Sequence, residues 1–149
     1  MQRKISINVR FAESKDLDFC IKSDFKHGSE AVVKRKIEEN AVILAEVDGK
    51  LVGYLRTEYL WLKIPYLSVI GVNEKYRRKG VGTAMIKFLE EHLLKQGHKV
   101  LYSSSQANEP EPQMWHRKIG FEGCGYIAGI NEGGIGEIFF KRILKESDK

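Results

Sequence analysis

No apolar stretch among the 149 residues approaches the roughly 20 needed to span a bilayer as a helix, so no membrane partner is expected. The opening Met1-Gln2-Arg3-Lys4 leads into alternating Ile5 and Ile7 without the apolar block of a signal peptide, and a cytoplasmic setting is expected. Cysteine is scarce: Cys20 and Cys124 stand far apart with no Cys-x-x-Cys pair, which leaves a disulfide framework or a zinc site without support. Both are expected as buried apolar side chains. His27, His92, His98 and His116 show no ligand spacing, and no metal is assigned. Linkers, repeats and low-complexity segments are also missing. The length suits one core, so residues 1–144 are read as one domain and 145–149 as a frayed tail.

What is present is a mixture of 42% hydrophobic and 30% charged residues, the balance of a soluble globular chain. A formal net charge of +5 permits acidic partners such as nucleotides or nucleic acid. Much of the excess sits in Arg77, Arg78 and Lys79, inside a glycine turn that a small anionic ligand would use. A nucleic-acid partner is not expected, because the aromatics that interleave with basic residues on a strand-binding surface are lacking. Lys34-Arg35-Lys36 reads as the wet face of a helix.

Alternation of Ile5, Ile7, Val9 and Phe11 predicts a half-buried first strand. Ser14 is placed as the N-cap of a helix carrying Leu17, Cys20 and Ile21 on one face. His27-Gly28 marks a break, and a second helix from about Ser29 to Asn40 carries Val32, Val33 and Ile37. Ala41 to Val47 is a strand that Asp48-Gly49, a strong hairpin signal, returns as Lys50 to about Leu60. After a turn near Trp61 to Pro65, Tyr66 to Val72 forms the fourth strand. A helix from Gly80 should bury Val81, Ala84, Met85, Phe88, Leu89 and Leu93, leave Lys87, Glu90 and Glu91 outside, and stop at Gly97. A fifth strand begins at Val100, a short helix covers Pro110 to Ile119, and Phe121–Ile130 and Gly136–Ile143 are the last strands, joined by Asn131-Glu132-Gly133-Gly134. The order is β-α-α-β-β-β-α-β-α-β-β.

The richest segment is the passage from the fourth strand to the long helix, Val72-Asn73-Glu74-Lys75-Tyr76-Arg77-Arg78-Lys79-Gly80-Val81-Gly82-Thr83. Glycines at 80 and 82 let backbone approach a ligand without Cβ interference, and a helix opening there directs unpaired N–H groups and a positive dipole end at an anion. A Walker A loop is excluded because no lysine follows Gly82. A Rossmann fingerprint is excluded because Gly80-Val81-Gly82 is followed by Thr83, Ala84 and Met85.

The spacing Arg77-x-x-Gly80-x-Gly82 after a strand resembles the Gln/Arg-x-x-Gly-x-Gly/Ala signature of the GCN5-related N-acetyltransferases. The order of elements is similar to that family's across nearly the whole chain, which implies an α/β fold with one mixed sheet flanked by helices. The resemblance implies that Arg77, Arg78, Lys79, Gly80, Val81, Gly82 and Thr83 hold the pyrophosphate of acetyl-CoA, that Val72 pairs with the pantetheine arm, and that the backbone N–H of Ile70 faces the oxyanion. It also implies an amine acceptor beside the first two helices. A second stretch, Asn108 followed by Trp115-His116-Arg117-Lys118-Ile119-Gly120-Phe121, is similar to the family's Asn…Phe-Tyr-x-Lys-x-Gly-Phe, which adds Asn108 to the cofactor-binding set.

Acetyl transfer to an amine needs a base, an oxyanion donor and an acid for the thiolate. The family's tyrosine acid is replaced by His116; an unperturbed histidine is about a quarter protonated at pH 7. Two readings stand for His116: proton donor to the thiolate, or a ring pairing with a backbone carbonyl or lining the CoA channel. Some family members place a glutamate four residues before the oxyanion donor, where this chain has Tyr66. A hairpin turning near residues 62 and 63 would put Glu58 opposite Tyr66 to Ser68, which makes Glu58 a base acting through water or else a partner for Arg56 or a lysine. Tyr66 and Ser68 are either part of a water chain or polar lining. Glu132 and Glu137 either attract a cationic amine or belong to the last turn.

These readings give an N-acetyltransferase that passes the acetyl group of acetyl-CoA directly to a primary amine of a small molecule or a peptide, working as a monomer or homodimer. The other reading is a noncatalytic acyl-CoA sensor, favoured by the missing tyrosine and glutamate.

Overall fold

A computed structural model describes residues 5–24 and 29–146. The expected break at His27-Gly28, the first four residues and the end of the tail from Ser147 lie outside the described residues. The strands are β1 (Ile7–Phe11), β2 (Val42–Val47), β3 (Lys50–Leu60), β4 (Ile64–Val72), β5 (Val100–Gln106), β6 (Glu122–Ile127) and β7 (Glu137–Ile143). The helices are α1 (Leu17–Ser23), α2 (Glu30–Glu38), α3 (Val81–Lys95) and α4 (Pro110–Lys118). Their order is the expected one. The strands form one mixed seven-stranded sheet in the order β1-β2-β3-β4-β5-β7-β6. Its β4–β5 pair is parallel, whereas β7 runs antiparallel to both β5 and β6.

Local chemistry explains the turns. Asp48 and Gly49 both have positive φ, 52° and 77°, as a type I′ hairpin requires. The β3–β4 turn uses Trp61 and Leu62 at φ 50° and 65°, and Lys63 N donates to Leu60 O. That centre lies earlier than expected, so β4 starts at Ile64 and includes Pro65. α3 ends in a Schellman arrangement: Gly97 at φ 88° donates to Leu94 O, and His98 N donates to Leu93 O.

By contact density the chain forms two compact units, residues 1–58 with 68–91 and residues 59–67 with 92–149. In the first, Cys20, Val33 and Ile37 of the helices pack on Val42, Leu44, Tyr54 and Val69 of the sheet. Gly53 lets Met85 of α3 come close; a Cβ there would stand 3.0 Å from the Met85 methyl carbon. In the second, β5 and β7 pair from Val100↔Ile143 to Gln106↔Glu137, around the fully buried Leu101 and Phe140.

Several expectations are corrected. Ser14 does not cap α1; it opens a short 3-10 turn, Ser14–Asp16, in which the Asp16 carboxylate accepts from Glu13 N at 2.8 Å. Val32 is exposed, because α2 buries the Val33–Ile37 stripe and Val32 sits about 100° from it. Glu90 is buried rather than outside, since it falls between Ile86 and Leu93 on a wider apolar face of α3 than the sequence spacing suggested. β6 stops at Ile127, and Glu132–Gly134 forms a short 3-10 turn before β7. Cys124 is exposed, because β6 is the edge strand and is bulged between Gly123 and Gly125.

Candidate active site

The glycine turn forms as a sequence of local locks. At the end of β4, Asn73 N donates to Val52 O at 2.8 Å, which ties the strand end to β3. The Asn73 side chain accepts from Lys75 N and starts a 3-10 turn, Glu74–Tyr76. Arg77 Nε then reaches back to Val72 O at 3.1 Å. Arg78 and Gly80 take positive φ, 63° and 86°, and Ala84 N donating to Gly80 O makes the first bond of α3. The N–H groups of Val81, Gly82 and Thr83 therefore have no intrahelical carbonyl to bind. Exposed Arg77, Arg78 and Lys79 stand around that positive helix end. Gly80 supplies the backbone conformation. Gly82 lies in ordinary helix within α3, so what it contributes is the missing Cβ. This arrangement fits a pyrophosphate.

On β4, Val72 keeps its place at the turn, although its carbonyl already accepts from Arg77. Ile70 is half-buried two residues earlier. Asn108 is exposed in the turn after β5, which Gln113 Nε2 holds by donating to Gln106 O and Ala107 O.

Glu58, its side chain 43% exposed, is the outer member of an otherwise buried network in the first unit. Arg56, 4% exposed, donates through Nε to Asp24 Oδ2 at 2.5 Å and through Nη1 to Glu58 Oε1 at 3.0 Å. The Tyr54 hydroxyl donates to the same Asp24 oxygen at 2.7 Å. Burial works against the charge on Arg56, but its bonds to Asp24 outweigh it and hold the guanidinium protonated. Burial and Asp24 together push the Tyr54 phenol far up. Glu58 thus pairs with Arg56 through one of its two oxygens. Asp24 and Tyr54 carried no local signal in the sequence.

The second unit holds the remaining site residues. His116 is 4% exposed, its ring stacked on Phe140 at 4.5 Å and edge-on to Trp115 and Phe121. Nδ1 lies 2.7 Å from Pro112 O and Nε2 lies 2.7 Å from Ser103 Oγ. A carbonyl can only accept, so Nδ1 carries a proton; at Nε2 a neutral ring accepts from Ser103 Oγ, whereas a protonated ring donates to it while Ser103 donates to Leu67 O at 3.4 Å. The proton-donor reading of His116 thus meets a ring with both nitrogens engaged. On the other pleat face of β5, Tyr66 Oη is 2.5 Å from Ser104 Oγ, and Ser104 donates to Glu137 Oε2 at 2.5 Å. Asn131 Nδ2 donates to the other Glu137 oxygen at 2.9 Å. Glu137 is buried, whereas Glu132 is exposed in its turn. Ser103 and Ser104 were missed; the only hint was a run of serines in a strand expected to be buried.

A family model for the acetyltransferase (GNAT) family matches residues 11–121. The chain belongs to that family. Among curated relatives, it is 28% identical over 131 residues to an S-(2-succino)cysteine N-acetyltransferase of Bacillus subtilis, covering 80% of this chain and 76% of that one. It is 24% identical to an S-alkylcysteine N-acetyltransferase of the same organism, covering 77% and 68%. The fold is shared with Ard1 from Thermoplasma volcanium, at a TM-score of 0.81 and 17% identity over 94% of this chain and 99% of that one. A Bacillus anthracis structure solved in complex with acetyl coenzyme A matches with the same score, identity and coverage. Family and relatives together support an acetyl-CoA-dependent N-acetyltransferase. Among the described residues, no helix is long and apolar enough to cross a membrane.

Proposed function

We propose that this enzyme transfers the acetyl group of acetyl-CoA directly to the α-amine of a small amino acid bearing a sulfur-linked substituent, in a cytoplasmic setting. The observation that carries the donor half is the β4–α3 turn, where three unpaired amides and three cations meet at a helix N-terminus. The acceptor half rests on the two Bacillus subtilis relatives, whose names specify S-substituted cysteines. The α-amine of an amino acid also holds its proton less tightly than a lysine side chain, whose deprotonation at pH 7 costs roughly 4.6 kcal/mol.

The two cysteines support direct transfer. Cys20 is fully buried, and burial pushes its thiol up to about 12, so it offers no thiolate to carry the acetyl group. Cys124 lies on the edge strand, its thiol also shifted up by partial burial. The Ile70 amide is assigned the oxyanion and Val72 the pantetheine arm.

The test is CoA thiol release with acetyl-CoA and a panel of S-(2-succino)cysteine, S-methylcysteine, free cysteine, lysine and a short peptide. The S-substituted cysteines should give the highest kcat/KM. Preference for the lysine side chain or the peptide N-terminus over every S-substituted cysteine would overturn the acceptor assignment. No thiol release with any amine would overturn the activity.

A further inference from the structure

Glu137 is a buried carboxylate, 6% exposed, whose two oxygens accept from neutral groups, Ser104 Oγ and Asn131 Nδ2. Among the described residues no Lys, Arg or His stands within ion-pair distance of it. A buried charge held only by neutral dipoles is costly, and its retention calls for a reason. The bonds around it have a direction. Because Ser104 gives its one hydroxyl hydrogen to Glu137, its oxygen accepts from Tyr66 across the 2.5 Å contact. The chain runs from the carboxylate through buried Ser104 to Tyr66, the one residue of the three that is only half-buried. Strand register builds it. Tyr66 pairs with Tyr102 across β4–β5, Ser104 follows on the same pleat face, and Glu137 sits diagonally from Ser104 across β5–β7, where the direct partner is Phe139. The Phe139 ring lies 6.2 Å from that of Tyr66 and walls the chain with apolar surface.

We propose that Tyr66, Ser104 and Glu137 form a proton relay that takes the amine proton during acetyl transfer, with Glu137 as its terminus. The proposal rests on the acetyltransferase reading above. The amine lone pair forms the N–C bond at the thioester carbonyl while the π pair moves to oxygen. The nitrogen then gives one proton to Tyr66 Oη as the tyrosine proton passes to Ser104 Oγ and the serine proton to Glu137 Oε2. Return of the oxygen pair breaks the C–S bond, so that amide and CoA thiolate leave and the proton on Glu137 is lost to solvent afterwards. Tyr66 touches the acceptor and is the catalytic residue; Ser104 and Glu137 act through it and are positioning residues. Asn131 fixes the carboxylate so that Oε2 faces Ser104.

The experiment compares full-length wild type with Glu137→Gln, Ser104→Ala, Ser104→Thr and Tyr66→Phe, using whichever amine of the panel the wild type turns over fastest. Glu137→Gln, Ser104→Ala and Tyr66→Phe should each lower kcat about 100-fold. KM for acetyl-CoA and the CoA-induced rise in Tm should stay within about twofold. Ser104→Thr, which keeps the hydroxyl, should recover most of the rate. Double variants should lose little more than single ones, since members of one relay are not additive. Single variants with kcat within threefold of an active wild type, or Ser104→Thr as poor as Ser104→Ala, would overturn the relay and leave the acetyltransferase reading standing. A wild type that acetylates no amine would overturn both, and the wild-type assay alone distinguishes that case.

Discussion

His116→Phe separates proton donation from packing at the position where this chain departs from its family's tyrosine. The substitution keeps a ring against Phe140, Trp115 and Phe121 but removes the bonds to Pro112 O and Ser103 Oγ, each 2.7 Å long. At about 1 kcal/mol per buried hydrogen bond, the loss should be about 2 kcal/mol. It stays at that level because Ser103 Oγ already lies 3.4 Å from Leu67 O and can turn to it. For a chain of 149 residues, this corresponds to a fall in Tm of about 4 to 8 °C. If the ring is held in the core and gives no proton to the thiolate, kcat measured well below the new Tm should stay within about threefold of wild type. A general acid would instead be worth about 10² to 10⁴ in rate. Differential scanning fluorimetry and steady-state thiol release on the same preparation supply both numbers. A kcat lowered 100-fold with Tm unchanged would refute the packing assignment and restore His116 as the acid.

In the phosphate turn, Gly82→Asp should weaken CoA binding at least tenfold by calorimetry, through bulk and charge where the ligand needs a bare helix end. Arg78→Ala should cost less than about 1 kcal/mol because Arg78 is exposed; equal, small losses for both would argue that the pyrophosphate lies elsewhere. An aromatic disulfide reagent at pH 8 should label Cys124 alone in the native protein and Cys20 only after unfolding, given full burial of Cys20 and its thiol raised to about 12; rapid double labelling would contradict the packing of α1. The bonds from Arg10 to Asp16, at 2.8 and 3.1 Å, hold that carboxyl below its ordinary value. The folded value is the lower one, so the contribution is complete above about pH 4 and is lost as pH falls through the folded value. Asp16→Asn should thus lower the urea midpoint at pH 7 and flatten its decline below pH 4, and a parallel decline in both proteins would show that Asp16 is not the titrating group.

Locally encoded features were legible and the assembly of distant side chains was not. The Asp48-Gly49 hairpin, the end of α3 at Gly97 and the Arg77–Thr83 turn depend on φ preferences and on donors left open within a few residues, so the sequence by itself determined them. The order of elements followed from hydrophobic period in the same way. Burial of Glu90 and exposure of Cys124 depended on how wide a helix face is covered and on which strand ends at the sheet edge, and neither is written within a few neighbouring positions. The same holds for the site. That His116 spends both ring nitrogens on Pro112 and Ser103, and that Glu137 meets Tyr66 through Ser104, were decided only when β7 inserted between β5 and β6 and the β4–β5 register was set. Those pairings join residues dozens of positions apart, where chain connectivity exerts no local preference and only the packing of the whole sheet selects the partner.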